Sequence, residues 1–216
     1  MNIDDVGKRY RFQTKLPIVG DEEGLLLTSY QKASEHTANR IFSKLGNVPV
    51  LEICSGVGGT TVFLAQKLKH VYAVDINSKR IEFAKRNAKT FEVADKITFI
   101  NSDGLDEKML SDAKGKGVEA VVSDVEWRSD LSLSLAETTP DIGQTIPSTP
   151  KLFEKLNRLV IKNIVMHMAA NTNKEQLMKL GECEIEEMVY EGKVKFINVY
   201  FGALINKKGI TKYLMN

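Results

Sequence analysis

The chain has 216 residues, 43% hydrophobic and 27% charged, which suffices for one substantial domain with a full core. Two cysteines far apart, Cys54 and Cys183, exclude a disulfide framework and fit a reducing compartment. A net charge of +2 admits a nucleic-acid partner without pointing to one, and no run approaches the roughly 20 apolar residues of a membrane span. "MNIDDVGKRYRF" lacks the apolar centre of a signal peptide, so a soluble, cytoplasmic protein is expected.

Residues 1–28 read as charged and irregular, and "SYQKASEHTANRIFSKLG" as a helix closed by Gly46. From there strand and helix alternate. "VPVLEIC" is a buried strand, "GTTVFLAQKLK" a helix with Val62, Ala65 and Leu68 on one face, and "HVYAVDI" a second strand. "NSKRIEFAKRNAKTF" is a helix capped by Asn77 or Ser78 that buries Ile81, Ala84, Ala88 and Phe91. "KITFINSD" and "VEAVVSD" are the third and fourth strands, joined by a short helix around residues 107–114. "TPKLFEKLNR" is helical, "LVIKNIVMHMA" is the fifth strand, and "NKEQLMKLG" is a further helix.

"CEIEEMVYEGKVKFINVYFGALI" holds two β-rich runs around Glu191-Gly192-Lys193, too close together for a crossover helix. They form a hairpin, so the last strand is antiparallel to its neighbour. The expected fold is α/β, a Rossmann-like doubly wound sheet, mostly parallel, with an antiparallel C-terminal hairpin. Residues 1–46 form an N-terminal segment with a helix and residues 47–216 the main domain. The one long irregular connection, "RSDLSLSLAETTPDIGQTIPS", follows the fourth strand, and loops of that length are usually functional or disordered.

Chemistry gathers at the strand ends. In "LEICSGVGGTT" a strand turns into a helix through Gly56, Gly58 and Gly59, where glycine lets the backbone turn tightly and approach a ligand. Thr61 stands where a dinucleotide fingerprint needs its third glycine, and no Gly-Lys-Ser/Thr follows, which excludes a phosphate-binding P-loop. Glu52 lies just ahead of the glycines and suits a ligand whose nearest part is a positive amine; S-adenosylmethionine has one. Asp75, 19 residues beyond Gly56, can accept both hydrogen bonds of a ribose diol, Ile76 can cover one face of an adenine, and Asp103 can accept from its amino group. Taken singly, these are a tight turn, a helix cap and a turn former. Together they line one crevice at successive strand ends.

The chain resembles the S-adenosylmethionine-dependent methyltransferases and, more narrowly, the RNA cap trimethylguanosine synthase family, which methylates an exocyclic guanine amine. The residues that carry the resemblance are "DEEGLLLTSYQKASEHTA", "CSGVGGTT", "VYAVDIN", "RNAKTFEVADKITFINSD", "ETTPDIGQTIPS" and "KFINVYFGALI". Where that family has Ser-Pro-Pro-Trp-Gly-Gly, this chain has Asp124-Val125-Glu126-Trp127-Arg128-Ser129, and Ser29-Tyr30 stands for its Thr-Pro. The resemblance implies S-adenosylmethionine as cofactor and an RNA or nucleotide-like acceptor. It places Asp124 in both the cofactor and the catalytic set, Trp127 where a guanine stacks, and Ser29 and Glu126 on the substrate side.

An aromatic amine is a poor nucleophile, because its lone pair is delocalised into the ring. Acceptors for its N–H groups, supplied by Asp124 and the carbonyl of Val125, sharpen that lone pair. Without the prolines that carbonyl is expected to be held less rigidly, and Glu126 is expected to favour a cationic acceptor. Other readings stand beside these: Trp127 as a packing residue, Glu126 as a solvated acid paired with Arg128, and Lys79, Arg80, Lys85, Arg86 and Lys89 as a charged solvent face. The same holds for Lys8, Arg9, Arg11 and Lys15. His36, His70 and His167 show no metal-ligand spacing, so no metal is expected. A methyltransferase for a small amine or protein side chain, or a cofactor-binding module without catalysis, are the alternatives. The oligomeric state stays open.

Overall fold

The computed structural model describes residues 16–215, in two compact units that divide after Asp103. The N-terminal segment belongs to the first. Its first element among the described residues is a helix absent from the sequence reading, α1 (Glu22–Leu27), whose N-cap Asp21 accepts from the N–H of Gly24 at 2.8 Å. Six residues are too few to show a helical period, so the cap and the acids Glu22 and Glu23 in the first turn were its visible signals. α2 (Gln31–Leu45) ends on Gly46 as read.

Three strands follow, β1 (Pro49–Ile53), β2 (His70–Asp75) and β3 (Ile97–Asn101), parallel in the order β3-β2-β1. Helix α3 (Gly59–Lys67) joins the first two and α4 (Ser78–Thr90) the last two. Nearly every residue of α3 is buried, and Thr60 Oγ1 meets Ser34 Oγ of α2 at 3.0 Å. α4 buries Ile81, Ala84 and Ala88, with Phe91 just beyond it, against its strands as the spacing required. Its cap is Asn77, whose side chain accepts from the N–H groups of Lys79 and Arg80.

The second unit begins with α5 (Glu107–Gly115) and β4 (Ala120–Ser123), then the long connection. α6 (Thr149–Arg158), β5 (Asn163–Ala169) and α7 (Lys174–Leu180) match their sequence assignments to within a few residues. β6 (Cys183–Tyr190) and β7 (Lys193–Phe201) form the expected hairpin, and Glu191 and Gly192 both turn at positive φ. β7 inserts between β5 and β6, antiparallel to both.

A further strand, β8 (Gly209–Leu214), escaped the sequence reading: it pairs parallel to β6 and gives the order β4-β5-β7-β6-β8. As an edge strand it leaves Ile210 and Leu214 exposed, so its apolar residues face outward and mimic no buried period. Buried Glu184 holds it, accepting from Thr211 Oγ1 at 2.8 Å and from the N–H groups of Asn206 and Lys207. The sheet strands are mostly parallel with antiparallel C-terminal members, as expected. Among the described residues no helix is long and apolar enough to cross a membrane.

Replacing Asn77 by Ala should lower stability by about 1 kcal/mol in urea denaturation, because two orphan amides lose their acceptor. Ser78→Ala should change it by a few tenths at most, separating the two cap candidates.

Candidate functional site

In the first unit the glycine turn is held by an acid. Asp75, buried at the end of β2, accepts from the Gly56 N–H through Oδ2 at 2.7 Å and from the Asn77 N–H through Oδ1 at 2.8 Å. The carboxylate expected to meet a ribose thus also shapes the loop that would hold it. Each oxygen keeps a second lone-pair direction. Gly58 has φ 82, and a Cβ there would sit 3.0 Å from Ala84 Cβ, so glycine is required both by the turn and by the approach of α4. A Cβ at Gly56 would meet nothing within 4 Å, which leaves that backbone open to a ligand. Gly59 begins α3.

Glu52 is 2% exposed in β1, whereas Ile76 is 74% exposed directly after β2. An apolar side chain so placed suits the covering of an aromatic ring. Asp103 lies two residues past β3 and is exposed. Asn101, which sequence reasoning passed over, donates from Nδ2 to the carbonyls of Asp75 and Ile76, both at 2.9 Å, and so ties the end of β3 to the end of β2. The turn, the acids and the exposed isoleucine fit the amine, ribose and adenine of S-adenosylmethionine.

The N-terminal strap closes on this loop. Asn87, fully buried on the apolar face of α4, donates to the carbonyls of Val19 and Val57 and accepts from the Val19 N–H. Its place among Ile81, Ala84 and Ala88 was the signal available in the sequence. Arg80 bonds Asp21 and Glu23. Burial alone would raise the Asp21 carboxyl, but the Gly24 N–H and the Arg80 guanidinium outweigh it and hold it below the usual range. Arg80 is therefore committed to the strap rather than to a basic tracking face. Lys85 pairs with Glu82, while Lys79, Arg86 and Lys89 are exposed. Ser29 is half-buried between α1 and α2. Lys8, Arg9, Arg11 and Lys15 lie outside the described residues.

In the second unit the stretch after β4 is fixed without prolines. The N–H of Glu126 donates to the carbonyl of Ile146 at 2.8 Å, and the Ile146 N–H returns to Glu126 at 3.1 Å. The Thr139 N–H donates to the carbonyl of Trp127 at 2.8 Å. Glu126 grips Arg128 through both oxygens, receiving Nε at 2.9 Å and Nη2 at 2.8 Å, and Arg128 is 4% exposed. Arg128 Nη1 also donates to the carbonyl of Leu133. This pair and the bridge to Ile146 restrain the segment in which the sequence suggested slackness.

Asp124 and Trp127 converge on one residue of β5. Asp124 Oδ2 lies 3.6 Å from His167 Nδ1, and Trp127 Nε1 donates to the His167 carbonyl at 3.2 Å. Trp127 is half-buried, with its ring centroid 6.4 Å from that of Phe196. No group of three or more potential metal ligands exists among the described residues.

Parallel strands ending on acids, a glycine turn into a helix and antiparallel C-terminal strands define the class, the α/β fold of S-adenosylmethionine-dependent methyltransferases. A protein of Porphyromonas gingivalis W83, provisionally assigned as a methyltransferase, matches with a TM-score of 0.69 at 14% identity over 87% of this chain and 43% of its own. Magnesium protoporphyrin IX methyltransferase of Synechocystis PCC 6803, solved with its methyl donor bound, gives 0.57 at 14% identity over 92% and 90% of the two chains. Those likenesses are of fold.

Residues 48–204 match the RNA cap guanine-N2 methyltransferase family, and the chain belongs to it. The cofactor of that family is S-adenosylmethionine. An uncharacterized RNA methyltransferase of Clostridium tetani is 35% identical over 93 residues, 43% of this chain and 18% of that protein. One of Bacillus cereus is 50% identical over 48 residues, 22% and 10%. The matched region spans less than a fifth of the length of either relative.

Two outcomes are expected. Arg128→Ala leaves Glu126 unpaired and should cost about 3 kcal/mol in urea denaturation, as for other broken buried pairs. Because Asp21 titrates below its ordinary 3.8 in the folded chain, its contribution is complete above about pH 4 and lost as pH falls through the lowered value. The stability difference between the wild-type chain and Asp21→Asn should therefore hold from pH 7 to about pH 4 and shrink below it.

Proposed function

We propose that this chain transfers a methyl group from S-adenosylmethionine to an exocyclic amine of a guanine-type RNA or nucleotide-like substrate. The observation that carries the reading is the convergence of an acid and a half-buried indole, Asp124 and Trp127, on His167 in a chain of this family. When bound, the cofactor supplies an electrophilic sulfonium methyl. The residues have the remaining work of alignment and of accepting protons.

In this reading Asp75 takes the ribose diol, Ile76 covers the adenine, and Asp103 accepts from its amino group. Glu52 meets the cofactor's amine, and Gly56, Gly58 and Gly59 let the backbone approach it. Asp124 and the Val125 carbonyl accept the N–H groups of the acceptor, which directs its lone pair at the methyl carbon and gives the departing proton a destination. Trp127 stacks on the base. Ser29 lies on the substrate side. The charge of Glu126 is balanced by Arg128, so its part is to hold the loop, and no cationic acceptor is selected by it. That balance favours a guanine-type acceptor over a small amine.

Calorimetry with S-adenosylmethionine and transfer of a labelled methyl group to capped or total RNA test the proposal. Asp75→Ala should weaken cofactor binding. Asp124→Ala should lower kcat by about 100-fold with cofactor affinity retained. Trp127→Ala should weaken substrate affinity by about 5- to 100-fold, the range of a lost stacking contact. An absence of heat with the cofactor refutes the assignment. Unchanged substrate affinity with lowered stability in Trp127→Ala gives that residue a packing role instead.

A further inference from the structure

His167 is completely buried in β5, and neither ring nitrogen has a hydrogen-bond partner among the described residues. An imidazole in the apolar run "IVMHMA" is a poor choice for stability, since burying an unpaired polar group carries a desolvation cost that Leu or Val would not. Its surroundings are arranged. In the β5–β7 register His167 stands opposite Asn198, and in the β6–β7 register Asn198 stands opposite Glu186, so the three share one face of three adjacent strands. Asn198 Nδ2 donates to Tyr200 Oη at 3.0 Å, and Tyr200 Oη donates to Glu186 Oε2 at 2.9 Å, all fully or nearly fully buried. A polar row thus crosses an apolar sheet and ends at Asn198, directly opposite His167 in the register, and the Nδ1 of His167 lies 3.6 Å from Asp124.

We propose that His167 is the positioning residue of the acceptor side: its Nδ1–H orients the Asp124 carboxylate while its backbone carbonyl anchors Trp127. The proposal rests on the functional reading above for its kinetic consequence, but not for its geometry. One residue of β5 then sets the acid and the aromatic relative to each other. At 3.6 Å the contact is longer than a hydrogen bond, and contacts of catalytic groups commonly tighten only when substrate is bound. Complete burial, with the Phe196 ring centroid 5.8 Å away, restricts rotation of the ring, as a donor must be restricted if it is to fix a carboxylate. The other histidines, His36 and His70, lie in α2 and β2 of the first unit.

Two measurements test this. With three histidines in the chain, ring nitrogen resonances are readily assigned by NMR with 15N labelling. At neutral pH His167 should carry its proton on Nδ1, and Asp124→Ala should shift that resonance or move the proton to Nε2. A ring protonated only on Nε2 in the intact chain, or a Nδ1 signal indifferent to Asp124→Ala, overturns the proposal. In the transfer assay, His167→Leu should lower kcat about 10- to 100-fold with cofactor affinity unchanged, the scale of a small misplacement of a catalytic group. His167→Asn, which keeps a donor near the Nδ1 position, should recover most of that loss, and His167→Leu should add nothing in the Asp124→Ala background. Equal losses for Leu and Asn, or additive losses with Asp124→Ala, overturn positioning in favour of packing. The NMR measurement requires no turnover. An Asp124-linked Nδ1–H in a chain that transfers nothing therefore refutes the functional reading while upholding the orientation.

Discussion

The carboxylate of Asp75 is the contact on which the first unit turns. It binds the amide of Gly56 on one oxygen and the amide of Asn77 on the other, so a single side chain at the end of β2 fixes both the glycine turn after β1 and the entry to α4. Parallel strands leave their C-terminal ends without a tight connecting turn, and the backbone amides gathered there need acceptors. An acid in that position satisfies two of them and still has lone pairs to offer. The shape of the loop and its chemistry therefore have the same source. Asn101 and Asn87 extend the arrangement, one binding β3 to the end of β2, the other drawing the N-terminal strap onto the glycine loop.

The second unit solves a different problem. In the Ser-Pro-Pro-Trp pattern that this segment resembles, two prolines restrict φ and remove donors. Here Val125 and Glu126 occupy those positions, and stiffness comes from bonds: the two-way bridge between Glu126 and Ile146, the contact of Thr139 with Trp127, and the grip of Glu126 on Arg128. A charged pair so well covered is costly to assemble and costly to break. It replaces local backbone restriction by tertiary contacts, using the long connection itself as the partner strand. The same pairing balances the charge of Glu126.

Much of this was legible in the residues. The alternation of β-branched runs with helical periods located α2 through α7 and the β6–β7 hairpin, because buried strands and one-sided helices impose periods of their own. The glycines of "CSGVGG" and the acids at 75 and 124 stood out because strand ends seldom repeat such chemistry by chance. α1 and β8 escaped for opposite reasons: α1 is shorter than two helical turns, and β8 turns its apolar residues outward at an edge. His167 was in plain view inside an apolar run, yet it invites only a search for metal partners until its neighbours across the sheet are known.

What the sequence alone determined was the kind of fold and the kind of ligand chemistry at the ends of its first strands, since periodicity and turn chemistry are local properties of the chain. Only the tertiary structure decided which partner each polar group found. Arg80 could face solvent or an acid, and it meets Asp21 and Glu23; Glu126 could face a substrate or a base, and it meets Arg128. His167 lies 40 positions beyond Trp127 in the chain, and the pairing of β4 with β5 sets it beside Asp124 and Trp127. Such pairings depend on register between distant strands, and register is a property of the assembled sheet.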